Sequence, residues 1–200
     1  MTIREYTPQD ETGWVRCRLI SFLDCSYYDD VMRQKETYQN PSVCAVAEEN
    51  GKIVGLLDAE YELETGAVCH FPGGKGAVIW HLGVLPEYRK IGTASKLWEF
   101  VRQKLLALGI TRVEVWTQDD EPANRWYQKQ GFVLKESYLN AYVRGTSKDN
   151  SAIQKYVNLQ NIGDIFGVRC LNFEAPLERK AELAPLCYRL YEVRGYEMQL

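Results

Sequence analysis

The sequence predicts an α/β domain built on a mixed β-sheet, and three observations carry that expectation. Two early extended runs are joined by a tight turn, so the first part of the sheet is antiparallel. Later extended runs alternate with helical ones, the pattern of strand–helix–strand crossovers. At 200 residues, with 46% hydrophobic and 26% charged residues, the chain is long enough for one sizeable core and ordinary in composition for a globular protein.

Taken in order, residues 2–7 read as a short strand closed by Pro8. Gln9 to Leu23 carries Trp14, Val15, Leu19, Ile20, Phe22 and Leu23 near helical spacing. Asp29 to Tyr38 reads as a second helix, opened by acids that suit a helix N-terminus and stopped before Asn40-Pro41. Val43 to Ala47 and Lys52 to Leu63 read as strands around the hairpin turn Glu49-Asn50-Gly51. Within the second, Asp58, Glu60, Glu62 and Glu64 alternate with apolar residues, which predicts one acidic, solvated face. A loop with Gly73, Gly74 and Gly76 leads to the apolar run Val78 to Leu85. Ile91 to Leu108 is the longest helical pattern, with Ala94, Leu97, Trp98, Val101 and Leu105 on one face and Gly109 as its stop. Arg112 to Thr117 is a strand, Pro122 to Lys129 a short helix ended by Gly131, and Phe132 to Val143 extended. Leu186 to Glu192 reads as the last strand. Residues 1–200 are therefore expected to form a single domain with a long insertion at about 145–185 before that strand.

Several classes are disfavoured. Lys and Arg number 24 against 27 Asp and Glu, a net charge of −3, whereas a phosphate backbone is bound by concentrated positive charge, so no nucleic-acid partner is expected. The six cysteines, at 17, 25, 44, 69, 170 and 187, show no C-x-x-C spacing, and there are two histidines, so no metal site is expected. No run approaches the ~20 apolar residues of a membrane span, and Met1 to Tyr6 lacks the apolar stretch of a signal peptide. The expectation is a cytoplasmic protein with reduced thiols and no membrane partner. Gly73-Gly74-Lys75-Gly76 lacks the spacing of a nucleotide-binding P-loop and precedes a strand, so that reading is set aside.

The informative stretch is Val78 to Leu97, where a strand ends at Pro86, a basic loop follows and a helix opens. Amides at a helix start have no intrahelical partner and favour anions. Gly92 and the small Ala94 let a diphosphate approach the backbone, and Arg89 and Lys90 add charge. Arg89-Lys90-Ile91-Gly92-Thr93-Ala94 matches the R/Q-x-x-G-x-G/A signature of the GNAT acetyltransferases, and Leu82-Gly83-Val84-Leu85-Pro86 resembles that family's fourth strand. Trp116 to Phe132 resembles its fifth strand and following helix, with Tyr127 four residues before Gly131-Phe132. The resemblance covers most of residues 1–143.

It implies a GNAT fold, a mixed and mostly antiparallel sheet flanked by helices, and an N-acetyltransferase using acetyl-CoA. The amine would attack the thioester directly. Leu82 to Val84, Arg89 to Ala94 (Arg89, Lys90, Ile91, Gly92, Thr93, Ala94) and Tyr127 would hold the cosubstrate. The Val84 amide would be the oxyanion donor and Tyr127 the acid toward the leaving thiolate. Many members place an Asn where this chain has Asp120, so the pantetheine contact falls to Asp120 or Asn124. Glu60, Glu62 or His81 could serve as base, and the acidic row could instead attract a cationic acceptor. The acceptor is expected to be a small-molecule amine. A protein or peptide acceptor is the alternative, as is a non-catalytic acyl-CoA-binding module. A homodimer is left open, and residues 145–185 are expected to cover the acceptor pocket, contact a second subunit, or pack as a surface excursion.

Overall fold

The computed structural model describes residues 1–144 and 169–200. Eight strands form one sheet in the order β1-β2-β3-β4-β5-β8-β6-β7. They are β1 (Thr2–Glu5), β2 (Ser42–Glu49), β3 (Lys52–Tyr61), β4 (Gly76–Val84), β5 (Arg112–Thr117), β6 (Val133–Arg144), β7 (Cys170–Ala175) and β8 (Arg189–Gln199). All neighbours pair antiparallel except β4 and β5. The longer helices are α1 (Glu11–Phe22), α2 (Thr93–Ala107) and α3 (Glu121–Gln130), with one short helical turn at Lys180–Leu183. This is the mixed, mostly antiparallel sheet that the sequence predicts.

The β2–β3 hairpin turns on Asn50 and Gly51, both at positive φ (51° and 76°), the geometry that matches the twist of paired strands. α2 follows β4 and returns the chain to β5 as a parallel neighbour. A Cβ on Gly55 would meet Leu97 and Thr93 of α2, whereas Asp58, three residues on and so on the opposite face, accepts the indole N–H of Trp14 in α1. The two helices thus cover opposite faces of the sheet. Trp14, Leu56, Leu57, Leu97, Val101, Leu105 and Tyr196 are fully enclosed in the core.

Residues 29–38 are not a helix. They form turns and an irregular run, because their side chains are claimed one by one by tertiary partners. Asp30 pairs with Arg18, Lys35 and Tyr38 with Asp58, and Glu36 with His81. With Val31 and Met32 as its apolar members, the segment has no stripe to bury as a helix. The last strand also lies later than Leu186 to Glu192, at Arg189–Gln199, and the stretch expected as an insertion contributes β7 to the sheet edge. The readings of a cover or a subunit contact fall on residues 145–185, of which 145–168 lie outside the described residues.

The polar residues that conceal β8 in the sequence are internal partners. Arg112 at the start of β5 is buried and pairs with Glu114 and, at 3.1 Å, with Glu197 of β8. Glu114 also accepts the backbone N–H of His70 and Phe71 at 2.9 and 2.8 Å. Removing the cation leaves two enclosed carboxylates facing each other, a change that costs about 3–5 kcal/mol for buried pairs. Arg112→Ala should lower stability by that amount in urea denaturation, and a loss under about 1 kcal/mol would show the network to be dispensable.

Candidate functional site

β4 and β5 pair over four positions, from Gly76 with Arg112 to Ile79 with Val115, and then separate. Beyond that point each strand keeps its other neighbour. β4 stays on β3 as far as Val84 opposite Gly55, with an irregularity at Trp80, and β5 stays on β8 as far as Thr117 opposite Arg194. A cleft of about 800 Å³ opens between them, walled by residues 78–84 on one side and 115–117 on the other. The Leu85 N–H donates to Val54 of β3 at 3.0 Å. By alternation the Val84 N–H faces away from β3, toward the gap.

One end of the cleft is the start of α2. Pro86–Tyr88 makes a short 3-10 turn, Lys90 adopts φ 63°, and Gly92, the residue before the helix, adopts φ 86°. No side chain caps this helix, so its first amides have no protein partner from a cap. The space beside Gly92 is open, and the left-handed backbone rather than crowding is what calls for glycine. Alternating signs of φ turn successive N–H groups to one concave side, which suits a phosphate. Leu82, Gly83, Val84, Arg89, Lys90, Gly92, Thr93, Ala94 and Tyr127 all line the cleft.

A splayed parallel strand pair thus leads into an uncapped helix N-terminus, the arrangement that the resemblance associates with acyl-CoA. The family model described as acetyltransferase (GNAT) family matches residues 5–132. The chain belongs to that family. It is an acyltransferase of the N-acetyltransferase type. A curated acetyltransferase of Sodalis glossinidius is 28% identical over 130 residues, 64% of this chain and 81% of the relative. Among solved structures, a GNAT-family acetyltransferase of Streptococcus pneumoniae superposes with a TM-score of 0.62 at 17% identity, covering 100% of this chain and 99% of the other. The ribosomal-protein-S18-alanine N-acetyltransferase of Escherichia coli follows with 0.59 at 11% identity, covering 99% and 92%. These likenesses show the fold.

Several expected contacts fall elsewhere in this acetyltransferase. Ile91 is 61% exposed and outside the cleft wall. The Arg89 guanidinium is turned back onto the protein, donating to Val84 O at 3.0 Å and Ser21 O at 2.8 Å, so it braces β4 against α1. Asn124 is buried and fully engaged. Its amide donates to Gln118 O at 2.6 Å and Asp120 O at 2.9 Å, and its carbonyl accepts the Tyr196 hydroxyl at 2.8 Å. It closes the first turn of α3 and does not reach the cleft. Asp120 does line the cleft, with its carboxylate on Ser26.

Of the acidic row, Asp58 and Glu60 of β3 and Glu62 just beyond it are enclosed rather than solvated, whereas Glu64 is exposed. Asp58 is buried among Trp14, Tyr38 and Lys35; burial raises its pKa against the opposing pull of Lys35. Glu60 accepts Asn40 N–H at 2.7 Å and the Trp80 indole at 2.8 Å, and it is not on the cleft wall. Glu62 accepts four backbone N–H groups, from Gly66, Val68, Cys69 and Gly76. Burial alone would raise its pKa, but those donors outweigh it and hold the carboxyl below its usual value. Both glutamates are structural anions here, which corrects the expectation of Glu60 or Glu62 as base.

At the other end of the cleft, α1 and the irregular run after it bring Arg18, Asp30, His81 and Glu36 together. Arg18 Nε–H donates to His81 Nδ1 at 3.3 Å, so the ring proton sits on Nε2 and is donated to Glu36 at 3.0 Å. Both ring nitrogens are thereby occupied. Asp30 and Glu36 remain 57% and 44% exposed along their side chains. Sequence reading passed over both, since inside a supposed helix they look like ordinary solvated charges. Tyr27 is also missed: it lines the cleft and its hydroxyl accepts the Gln118 N–H at 3.0 Å. Among the described residues no group of three or more His, Cys, Asp or Glu side chains could hold a metal, and no helix is long and apolar enough to cross a membrane.

Burial, aided by the charges of Arg18 and Lys35, lowers the His81 pKa to about 3. An unfolded histidine titrates near ~6.5, so between these values the unfolded chain binds the additional proton. The sign follows: this contribution to stability is complete above about 6.5 and is lost as pH falls toward the folded value, by up to ~1.4 kcal/mol per unit. His81→Gln should flatten the fall in urea-denaturation stability between pH 6.5 and 4 relative to the parent. Parallel curves would show that His81 carries no such linkage.

Proposed function

We propose that this chain moves the acetyl group of acetyl-CoA to the amine of a small cationic molecule by direct attack on the thioester. The observation that carries the reading is the continuity of one cleft, from the uncapped start of α2, through the gap between β4 and β5, to the exposed carboxylates of Asp30 and Glu36. The pyrophosphate lies on the amides of residues 89–94, and the pantetheine arm runs along the unpaired edges of the two strands. As the amine nitrogen bonds to the acetyl carbon, negative charge gathers on the carbonyl oxygen, and the Val84 N–H is the donor placed for it. Tyr127 gives a proton to the leaving sulfur. A phenol near ~10 is a weaker acid than a thiol near ~8.5, so complete transfer is uphill by roughly 2 kcal/mol, and a strengthening hydrogen bond is enough.

The amine must reach the carbonyl neutral, which costs on the order of 4–5 kcal/mol for a lysine-like group at pH 7. Glu36 takes that proton. His81 holds one of its oxygens and leaves the other for the acceptor, while His81 itself has no nitrogen lone pair to offer. Two carboxylates beside the aromatic walls of Phe22, Trp80 and Trp116 favour a compact cation with apolar surface. The protein acceptor of the Escherichia coli neighbour belongs to that enzyme and does not decide the question here.

Two measurements test this reading. Gly92→Glu places a carboxylate where the pyrophosphate would lie and should abolish acetyl-CoA binding in calorimetry. Gly92→Ala, which shares the backbone strain without the charge, should weaken it by tenfold or less. Equal losses in the two variants would point to a folding defect, and none in either would remove the site. Across a panel of polyamines, aminoglycosides and amino acids, Glu36→Gln should lower kcat/KM for the best acceptor by ~10²-fold, with acetyl-CoA affinity unchanged. Undiminished turnover in that variant would take the base elsewhere.

A further inference from the structure

Trp80 is the bulged residue of β4, and it stands 47% exposed on the cleft wall. Asp58 pairs with His81 and Ala59 with Ile79, so Trp80 is the extra residue between two partners. Alternation puts Trp80 on the face of Val78 and Glu60, and the bulge brings His81 onto that face as well. Two adjacent side chains thus share the side covered by α1, where His81 meets Trp14 edge-on with ring centres 5.3 Å apart. Val78 and His81 are buried there, whereas the Trp80 indole opens into the cleft.

That indole is not free to turn. Its N–H donates to one oxygen of the buried Glu60 at 2.8 Å. The other Glu60 oxygen accepts the backbone and side-chain N–H groups of Asn40 at 2.7 and 3.0 Å. Two ties therefore join residues 36–40 to successive residues of β4. Glu36 bonds His81 at 3.0 Å, and Asn40, through Glu60, holds Trp80. A single exposed tryptophan is ordinary on a protein surface. One fixed by a buried carboxylate in the wall of a ligand cleft is a preorganised flat surface, whose ordering is complete before anything binds.

We infer that the acceptor's carbon skeleton stacks on Trp80, that Glu60 positions the indole for it, and that the acceptor is a primary amine with an aromatic ring one or two carbons from its nitrogen. The inference rests on the cleft being the site of acetyl transfer and on Glu36 receiving the amine. An aromatic ring gains from offset or edge contact with an indole beyond the area it buries, whereas a hydroxyl-rich or polyamine skeleton would leave polar groups unpaired against it. Phe22 and Trp116 line the same cleft and suit the same skeleton. The spacer is short because Trp80 and His81 are consecutive, about 3.8 Å apart at Cα, and His81 carries Glu36. Glu60 acts through Trp80 and is a positioning residue.

In steady-state assays the parent should favour phenethylamine over n-hexylamine, a chain without the ring, by tenfold or more in kcat/KM. Trp80→Ala should cut that ratio at least tenfold, chiefly through the KM for phenethylamine. Glu60→Ala, which frees the indole, should lower the ratio too, and Glu60→Gln, which keeps an acceptor oxygen for the indole, should recover most of it. Because Glu60 acts through the ring, adding Glu60→Ala to Trp80→Ala should leave the ratio where Trp80→Ala put it. Trp80→Phe keeps a ring but lacks the N–H that Glu60 holds, so it tests the clamp even if Glu60→Ala fails to fold; its ratio should fall between those of the parent and Trp80→Ala. A second readout needs no turnover: phenethylamine binding to the CoA complex, followed by calorimetry, should weaken about tenfold in Trp80→Ala. Equal kcat/KM for the two amines in the parent, or a parental ratio in Trp80→Ala, would overturn the acceptor assignment. A parental ratio in Trp80→Phe, or a further fall in the double variant, would overturn the clamp. Failure of the parent protein to bind acetyl-CoA would instead overturn the reading of the cleft.

Discussion

The parting of β4 from β5 is the constraint from which the rest of the site follows. The sheet's one parallel pair holds for four positions and then gives way, because each strand is retained by its other neighbour. A backbone edge inside a protein must find partners for its N–H and C=O groups, and these two edges are left facing a cleft. An extended ligand with amide groups of its own satisfies that requirement better than a side chain could. β8 is shaped to keep β5 in its place: a Cβ on Gly195 would lie 2.6 Å from the Trp116 ring, so only glycine lets Trp116 lie flat across β8. Phe71 then stacks on Trp116 with centres 5.3 Å apart and closes that wall.

Buried carboxylates do the work that regular structure does elsewhere in the sheet. The chain from Gly66 to Lys75 has no helix or strand, and carboxylates take five of its amides and that of Gly76, four in all by Glu62 and two by Glu114. Such anions are tolerated inside because several donors converge on each, which repays the loss of water. The same principle fixes the acceptor end, where Arg18, Asp30, His81 and Glu36 form a chain of hydrogen bonds around a neutral imidazole. Charge is thereby confined to the rim, where Asp30 and Glu36 meet solvent.

What could be read from the sequence is what periodicity and local chemistry write there. The hairpin at Asn50-Gly51, the amphipathic face of α2, strand β5 to the residue, and the left-handed turn at Gly92 before α2 each depend on neighbours a few positions away. What could not be read depends on partners far along the chain. Residues 29–38 look helical because acids precede them, and they unwind because Arg18, Asp58 and His81 each take a side chain. The end of β8 looks like a loop because Arg194 and Glu197 are charged, and it is a strand because Glu197 meets Arg112 and Lys135 inside the sheet. Asn124 and Asp120 are near enough in sequence to exchange roles on paper. The structure separates them, because Tyr196 and the carbonyls of Gln118 and Asp120 saturate the amide, whereas Asp120 reaches Ser26.

These separations bear on how one cleft can handle two opposed proton tasks. Under the proposed reading a proton must leave the amine at one point and another must reach sulfur a short distance away. A single group serving both would have to change its protonation state within one event. Here the groups differ in kind and in surroundings. Glu36 is a half-exposed carboxylate with one oxygen on an imidazole that burial keeps neutral and the other left for the acceptor. Tyr127 is a buried phenol that burial keeps protonated, so it can offer a hydrogen bond to the developing thiolate while holding its proton tightly. Water access separates the two: Glu36 lies half-exposed at the rim, whereas burial keeps Tyr127 in its protonated form. The turn after α1 makes this possible, since it runs from the enclosed Tyr27 to the exposed Asp30 and on to Glu36, and so lines both regions of the cleft with one continuous stretch of chain.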